Sequence, residues 1–464
     1  MTRYRADGSL SWHGTVLLGG SPLKLFRLSD AGAGVVRAVL DGAPVRTAGA
    51  RALIGRLLEA GALHPEPDGP GPWGPADVTA VIPVLDPDAA RLASLVDALR
   101  SAGVAEVLVV DDASRPPVGA LAGARVLRRD DNGGPGAART TGLAAVRTEF
   151  VAFVDADVEV PPGWLDPLLA HLADPTVALV APRVRSRPGP GRLARYDAEH
   201  SPLDLGPAPA RIRAGTRVSY VPTAAVVVRR AALVGVGGFD PELRTGEDVD
   251  AVWRLDEAGH GCRYEPAVIV LHEPRPTVRA WIRQRVGYGR SAAPLARRHP
   301  GAVPAVSVSG WSAAVWGLGV LVPFPLGVAA GITTAGATAV LLRRRIGSWS
   351  LAVRLTGLGH LHAGRLLASA VRRAWWPVLA MAALRSRLAR RILLLAVADG
   401  LRRGGPLRLA DDAAYAIGVW QGARRSRTAA PLVPDLTSWP RPSRYERRRG
   451  GGSGPSTPGT PTPG

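Results

Sequence analysis

The stretch EFVAFVDADVEVPPG, residues 149–163, places two aspartates directly after an unbroken apolar run. Residues 150–154, FVAFV, are all apolar and two of them are β-branched, which is typical of a strand covered on both faces. Carboxylates at the end of such a strand cost free energy unless a partner stabilises their charge. Asp155 and Asp157 therefore indicate either a bound ligand or ion, or a cap or turn that follows the strand.

Strand and helix patterns alternate along the chain on both sides of this run. The other strand-like segments include VTAVIPVL (78–85), AEVLVV (105–110) and VALVAPRV (177–184). This alternation predicts an α/β fold, with a Rossmann-like, mostly parallel sheet covered by helices. Ligands bind such sheets at the carboxyl ends of the strands. Asp111 and Asp112 end one strand and Asp155 and Asp157 end another, so we expect both pairs at one ligand-binding edge.

The stretch HPEPDGPGPWGPAD, residues 64–77, is rich in proline and glycine and marks the clearest domain boundary. A hairpin pattern and two helical patterns precede it and predict a small α+β module. The glycine-, serine- and proline-rich C-terminus predicts disorder. The predicted organisation is an N-terminal module (1–66), a linker (67–77), an α/β domain (78–300), a helical, membrane-associated region (301–430) and a disordered tail (431–464).

The formal net charge of the chain is +20, and Lys24 is its only lysine. Between Arg343 and Gly450 there are 22 arginines and five acids, so most of the excess lies in the C-terminal part. Such charge fits nucleic acid or an anionic membrane surface. Because this region holds long apolar stretches and no zinc or RNA-binding signature, we predict no nucleic-acid partner. Cys262 is the only cysteine, which excludes an intramolecular disulfide and fits a reducing cytoplasm.

Residues 302–342 contain no charged residue, and Pro323 and Pro325 split them into halves of about 20 residues, enough to cross a hydrocarbon core. Arginines lie at both ends, which predicts a membrane hairpin with both ends in the cytoplasm. The alternative is a buried helical pair in a soluble domain. Apolar stretches broken by arginines in 361–400 fit helices lying on a membrane. Since MTRYRADGSL lacks the apolar core of a signal peptide, we expect the catalytic domain on the cytoplasmic side of the cell membrane.

Four motifs follow one another in the region that has the α/β pattern. They are VIPV (81–84), VVDDAS (109–114), VDADV (154–158) and GEDVD (246–250). In this order they resemble the family 2 glycosyltransferases, an inverting group with the GT-A fold, and the resemblance covers residues 78 to 290. It implies transfer of a sugar from a UDP-sugar donor, with a divalent metal, Mg²⁺ or Mn²⁺, on the donor diphosphate.

The resemblance also implies roles for the acids at the predicted edge. Asp111 and Asp112 match acids that contact the uracil and the ribose. Asp155 and Asp157 match the D-x-D pair that contacts the ribose and the metal. His272, in VIVLHEP, matches a histidine that completes the metal site in some members, and the alternative for it is a structural role at a strand end.

The GEDVD motif is implied to supply the catalytic base. Asp248 matches the general base, and Glu247 beside it is the second catalytic candidate. Transfer from a nucleotide sugar requires neutralisation of the charge on the leaving diphosphate, which a divalent ion provides electrostatically. It also requires a base for the proton of the acceptor hydroxyl. A single in-line displacement with one such carboxylate leads to inversion.

NGGPGAARTTGLAA, residues 132–145, resembles the helix start that lies beside the donor in this family. Asn132 and the glycines imply a close approach of the backbone to the donor, and Arg139 is implied to reach it. Thr140 or Thr141 stands where the family commonly has asparagine, which puts a polar donor contact there in doubt.

Two further donor contacts come from the ends of the matched region. Pro83, in the first motif, belongs to the implied nucleotide-sugar site. WIRQRVGYGRS, residues 281–291, loosely resembles the Q-x-x-R-W segment of processive members but lacks its tryptophan. Arg285 is the candidate diphosphate contact in that segment.

Longer segments, among them PGWLDPLLAHLADPTVALVAPR and YDAEHSPLDLGPAPARI, resemble one group within the family, the mycofactocin-system glycosyltransferases of actinobacteria. That resemblance implies transfer of glucose from UDP-glucose to the peptide-derived redox cofactor premycofactocin, which builds a short β-1,4-linked chain. It relates the N-terminal unit to small winged-helix-like modules that hold precursor peptides. The alternative is a family 2 enzyme that acts on a lipid-linked or cell-envelope acceptor.

Overall fold

The structure is a computed structural model that describes residues 2–437. The chain divides into two compact units, with the boundary between Gln284 and Arg285. The first unit combines a small N-terminal module with a large mixed sheet, and the second unit is mainly helical.

The N-terminal module consists of short strands and two helices. Its elements are β1 (Thr2–Ala6), β2 (Ser11–His13), β3 (Val16–Gly19), β4 (Lys24–Arg27), α1 (Asp30–Leu40), α2 (Ala48–Glu59) and β5 (Leu63–Pro67). β1 pairs antiparallel with β5, and β2, β3 and β4 form a second antiparallel sheet. The side chains of Ser29 and Thr47 cap α1 and α2 by accepting a backbone N–H, a common role for these residue types. The winged-helix likeness of this α+β module stays a prediction.

The predicted linker between the module and the sheet is packed rather than loose. The Trp73 ring lies edge-to-face against the Phe150 ring, with 5.3 Å between the centroids. Residues Pro75–Asp77 form a short 3₁₀ turn that leads into the first strand of the sheet. An aromatic pair of this kind adds to the burial of both rings, so the linker is attached to the core of the sheet.

A nine-stranded mixed sheet forms the centre of the first unit. Its strands are β6 (Val78–Val84), β7 (Glu106–Asp111), β8 (Arg125–Arg128), β9 (Phe150–Val154), β10 (Val158–Glu159), β11 (Val177–Ser186), β12 (Ala210–Arg211), β13 (Ala225–Arg229) and β14 (Gly261–His272). They lie in the order β10-β14-β11-β13-β9-β6-β7-β8, and β12 pairs with β14. The neighbours from β9 to β8 are parallel, whereas β13 is antiparallel to β9 and β11. The predicted α/β class is confirmed.

Six helices connect the strands and pack against this sheet. They are α3 (Ala89–Ser101), α4 (Pro135–Ala145), α5 (Leu165–His171), α6 (Arg192–His200), α7 (Arg230–Gly235) and α8 (Glu247–Glu257). All five residues of β9 are buried, as the run FVAFV predicts. Leu95 of α3, Leu168 of α5 and the adjacent Trp164 pack with β9 in the main hydrophobic core. The acids that follow β9 are therefore held by a rigid, fully apolar strand.

The second unit is helical, as predicted. Its elements are the continuation of α9 (Val278–Arg298), then β15 (Ser307–Ser309), α10 (Gly310–Leu321), α11 (Phe324–Ile346), α12 (Trp349–Ala370), α13 (Trp376–Ala383), α14 (Arg387–Arg425) and β16 (Asp435–Thr437). A π-helical turn, Val371–Trp375, separates α12 from α13. Disorder was predicted from residue 431, but Asp435–Thr437 form β16, which pairs in parallel with β15. The predicted tail therefore starts too early. The rest of that tail, 438–464, lies outside the described residues.

The apolar run 302–342 does not form the predicted hairpin of two membrane-length helices. Its first part enters β15, so α10 has 12 residues. At ~1.5 Å per residue, α10 is roughly 18 Å long, short of the ~30 Å of a hydrocarbon core. Within 2–437, one helix is long and apolar enough to cross a membrane, Pro325–Arg344, and 6% of it is buried. Apolar composition alone did not reveal the pairing that shortens α10.

We predict that Gly142→Ala destabilises the protein. A Cβ at this position of α4 would lie 2.4 Å from Val81 Cγ1 in β6, so the helix would have to shift. Overpacking of this kind typically costs about 1–3 kcal/mol. The measurement is the free energy of unfolding in urea.

Gly34→Ala in α1 is the matched control, because a Cβ there meets nothing within 4 Å. It should raise the free energy of unfolding by roughly 0.5–1 kcal/mol, since alanine replaces an exposed helical glycine. Equal effects of the two substitutions would contradict the close packing of α4 on β6.

Candidate active site

The carboxyl ends of three parallel strands bring the predicted acids to one edge of the sheet. β6 is parallel to β7 on one side and to β9 on the other. Asp111 ends β7, and Asp155 follows directly after β9. The first helical residue of α8 is Glu247, the first of the three acids in the fourth motif, GEDVD. The structure thus joins Asp155 to this motif through one arginine, Arg139.

Arg139, in α4, lies between the two acidic motifs. One terminal amino group donates to Glu247 Oε1 and the other to Asp155 Oδ1, each at 2.7 Å. The Arg139 side chain is 4% exposed. Burial lowers the pKa of Arg139, but Asp155, Glu247 and Asp248 raise it further, so its net pKa lies above its ordinary value. The guanidinium is therefore a permanent buried charge.

Asp248 is the more accessible acid of the GEDVD motif. It is partly buried, whereas Glu247 is 5% exposed. Among the described residues, the Asp248 carboxylate accepts one hydrogen bond, from the Val249 N–H at 2.8 Å. Burial and the adjacent Glu247 carboxylate raise the pKa of Asp248 to about 7, against the opposing effect of Arg139. A carboxyl group with this pKa has the properties of a general base at neutral pH.

Asp157 and His272 lie next to each other, as the metal prediction requires. Val158 of β10 pairs with His272 of β14, and His272 Nε2 is 3.4 Å from Asp157 Oδ1. The Arg275 guanidinium lies 3.5 Å from the other Asp157 oxygen. Within 2–437, no group of three or more His, Cys, Asp or Glu side chains is placed to hold a metal ion.

This donor set fits an ion shared with a diphosphate. Mg²⁺ usually takes one or two carboxylates and completes its shell with phosphate oxygens and water. Asp157 and His272 supply one carboxylate and one imidazole within 3.4 Å of each other. Asp155 is the other acid of the D-x-D and is bound to Arg139. The residues present therefore fit a divalent ion bound jointly by protein and donor.

Asp111 and Asp112 bind protein groups. Asp111 is fully buried and accepts from the Ser114 and Val118 N–H groups and from Arg128. Burial raises the pKa of Asp111, but these hydrogen bonds lower it to a net value below the ordinary one. Asp112 accepts from Arg129 and from the N–H groups of two glycines before α4. Both acids shape the loops at the edge, and their contacts with uracil and ribose stay predictions.

The remaining predicted donor contacts lie in two places. Asn132 is exposed, and its side-chain oxygen accepts the Gly134 N–H at 3.1 Å before α4. Pro83 is partly buried in β6, beside the strand that ends in Asp111. Arg285 belongs to the second unit, where its guanidinium is buried 3.1 Å from Asp411. Its role as a diphosphate contact stays a prediction.

Three arginines at the edge have no counterpart among the predicted site residues. Arg128 and Arg129 bind Asp111 and Asp112, and Arg275 faces Asp157. The β7–β8 register pairs Asp111 with Arg128, so a basic strand end parallel to an acidic one was the available signal. Arg275 follows His272 by three residues and carries no comparable signal.

Comparison with known proteins agrees with these motifs. Residues 79–233 match the glycosyl transferase family 2 profile. A pre-mycofactocin glycosyltransferase of Mycobacterium tuberculosis is 42% identical over 463 residues, which cover 91% of this chain and 95% of that protein. The succinoglycan biosynthesis protein ExoO of Rhizobium meliloti is 29% identical over 43% of this chain and 61% of its own.

One solved structure, a mannosyltransferase from Pyrobaculum calidifontis in complex with GDP-Man and Mn²⁺, covers 84% of this chain and 98% of its own. It is 19% identical, with a TM-score of 0.44. The chain belongs to the family 2 glycosyltransferases and, within them, to the family of the pre-mycofactocin glycosyltransferase. Its mixed sheet is accordingly a GT-A-like α/β fold.

Asp248→Asn should lower kcat by ~10²–10⁴-fold, the usual contribution of a general base, and leave UDP affinity unchanged. In the wild type, kcat/KM should rise with pH around 7, because Asp248 is protonated below its raised pKa of about 7 and can accept a proton only above it. Steady-state kinetics between pH 5 and 9 and titration calorimetry with UDP measure both effects.

Glu257→Gln, at the exposed end of the same helix, is the control and should keep wild-type turnover. A flat profile of kcat/KM between pH 5 and 8, together with full turnover of Asp248→Asn, would show that the base lies elsewhere.

Proposed function

We propose that this enzyme transfers glucose from UDP-glucose to premycofactocin, with inversion, and extends it into a short β-1,4-linked chain. Support for the acceptor comes from the 42% identity with the M. tuberculosis enzyme over 95% of that protein. Support for the chemistry comes from the placement of Asp155, Arg139 and Glu247 in one ion-paired row, with Asp248 next to it. That row is the observation that carries the proposal.

The residues of this chain have distinct parts in the reaction. Asp248 accepts the proton of the acceptor hydroxyl as that oxygen attacks the anomeric carbon and the donor's bond to the diphosphate breaks. One displacement on one face inverts the configuration, so a single base suffices. Asp157 and His272, with Asp155, would hold the divalent ion. When bound, that ion supplies neutralisation of the charge on the leaving diphosphate.

The test is a direct assay with purified enzyme, premycofactocin and either UDP-glucose, UDP-galactose or GDP-mannose. Mass spectrometry should show addition of hexose units with UDP-glucose alone, and digestion with a β-1,4-specific glucosidase should remove the added units. The same assay is repeated with a lipid-linked oligosaccharide in place of premycofactocin. Transfer to that oligosaccharide and none to premycofactocin would favour the alternative, an envelope acceptor.

Asp157→Ala should abolish transfer and keep the fold, because the Asp157 side chain is 30% exposed and lies between two strands rather than within one. Calorimetry should show that Mn²⁺ no longer strengthens UDP binding. Glu159→Gln, two residues further on, is the control. A folded Asp157→Ala enzyme with full activity in metal-depleted buffer would contradict the metal role.

We also propose that the second unit attaches the enzyme to the cytoplasmic face of the cell membrane. No acidic residue occurs between Glu273 and Asp399, and Arg343, Arg344 and Arg354 are exposed. Large apolar side chains are also exposed in this unit, among them Trp311, Trp316, Leu321, Leu326, Ile332, Leu361, Met381 and Leu384. The apolar part of α11 is long enough to cross, but α10 is too short to complete a membrane hairpin with it. We therefore propose that these helices lie within one leaflet, as interfacial helices do.

Ile332→Glu should shift the protein from the membrane fraction to the soluble fraction, since Ile332 is 68% exposed on α11. Val234→Glu is the matched control, because Val234 is exposed on α7 of the first unit. Membranes washed with high salt should retain the wild type. Complete release of the wild type by salt alone would contradict insertion of apolar side chains.

A further inference from the structure

The two acidic motifs of the site are far apart in the chain and are joined by one side chain. Arg139 lies 16 residues before Asp155 and 108 residues before Glu247, yet it is 2.7 Å from a carboxylate oxygen of each. Both terminal nitrogens are used in these contacts. With 4% of the side chain exposed, the guanidinium has little free surface for a donor.

Close packing fixes α4, which carries Arg139, against the start of α8. A Cβ at Gly136 would lie 3.1 Å from Glu247 Cγ, so a side chain at this position would crowd Glu247. The Thr140 hydroxyl donates to the Phe239 carbonyl at 3.3 Å, and the Phe239 ring lies 5.8 Å from the Arg139 guanidinium. Glu247 is therefore held by both contact and charge.

The charges around Asp248 explain why this arrangement matters. Asp248 is close to the carboxylates of Glu247 and Asp155, with Arg139 as the opposing cation. A buried carboxylate that loses its cation is strongly destabilised. Without Arg139, the Glu247 carboxylate would lose its neutralising partner, and the first turn of α8 would lose its anchor.

We propose that Arg139 and Glu247 are positioning residues, which fix the first turn of α8 so that the Asp248 carboxylate is held in place beside the D-x-D. This inference rests on the proposed function, with Asp248 as the base. It replaces the expectation that Arg139 contacts the donor, because both of its terminal amino groups are bound to carboxylates of the protein.

The two residues affect Asp248 in opposite directions, which gives the proposal a distinctive signature. The acid limb is the rise of kcat/KM with pH that deprotonation of Asp248 should cause. Removing the Arg139 charge removes a cation and should move this limb to higher pH. Removing the Glu247 charge removes an anion and should move that limb to lower pH. A purely structural loss would lower stability without moving the limb in opposite directions.

The experiment compares Arg139→Gln, Arg139→Lys, Glu247→Gln and the double variant Arg139→Gln/Glu247→Gln. Measured quantities are kcat, KM for the donor, the pH profile of kcat/KM, UDP affinity by calorimetry and the thermal midpoint. We expect kcat of Arg139→Gln to fall by ~10²-fold, as for a small displacement of a catalytic group, with UDP affinity unchanged. Arg139→Lys should restore part of kcat and return the limb toward its wild-type position.

The double variant should lose less than the product of the two single losses, because it leaves no unpaired carboxylate at position 247. Arg254→Gln is the control for a structural loss, since Arg254 also lies on α8 and binds Asp250 of this helix and the Gly238 carbonyl that precedes it. It should lower the thermal midpoint and leave the limb where it is. If Arg139→Gln does not fold, Glu247→Gln and Arg139→Lys still test the proposal. The limb should move to lower pH in the first variant and stay near its wild-type position in the second.

Weakened UDP binding by Arg139→Gln, with an unmoved limb, would overturn the proposal in favour of a donor contact. Limbs that shift in the same direction in Arg139→Gln and Glu247→Gln would overturn it as well. Failure of the proposed function is distinguishable, because Asp248→Asn would then remain active. An inactive Asp248→Asn with unmoved limbs in the other variants contradicts this inference alone.

Discussion

The buried guanidinium of Arg139 is the interaction on which the geometry of the site depends. It lies between the end of β9 and the start of α8 and binds Asp155 and Glu247, which the fold has brought together. A buried ion pair adds little net stability over apolar packing, but loss of one partner typically costs ~3–5 kcal/mol. We interpret Arg139 as a residue that specifies where α8 begins relative to β9, since this placement lets it neutralise Glu247 and Asp155 together.

The acids at the edge fall into two groups by what they bind. Asp111, Asp112 and Glu247 are buried, and protein donors hold their oxygens. Asp157 and Asp248 keep exposed surface and make few contacts with the protein. The first group shapes loops and helix starts, whereas the second group is accessible for the ligand binding and chemistry that we propose. Parallel strands from β9 to β7 make this division possible, because their carboxyl ends meet at one edge.

The sequence predicted those features of the molecule that depend on short, continuous stretches of chain. FVAFV predicted a buried strand, and the order of the four motifs predicted the family. The position of the acids at strand ends predicted that they lie at one edge of the sheet. The role of Arg139 depends on a partner 108 residues away, which no local pattern reveals. The length of α10 likewise depends on the pairing of β15 with β16, since an uncharged apolar stretch does not show where a helix begins.

The helix that carries Asp248 is held at both of its ends. Arg139 fixes its first turn through Glu247, and near its last turn Asp256 is 3.0 Å from both Arg211 and Arg213. These two arginines also pair with Glu59, the last residue of α2 in the N-terminal module. A carboxylate shared by two arginines at a buried site is a strong, directional contact. The module is therefore an integral part of the first unit, because it completes the charge network at the far end of the helix that carries Asp248, the proposed base.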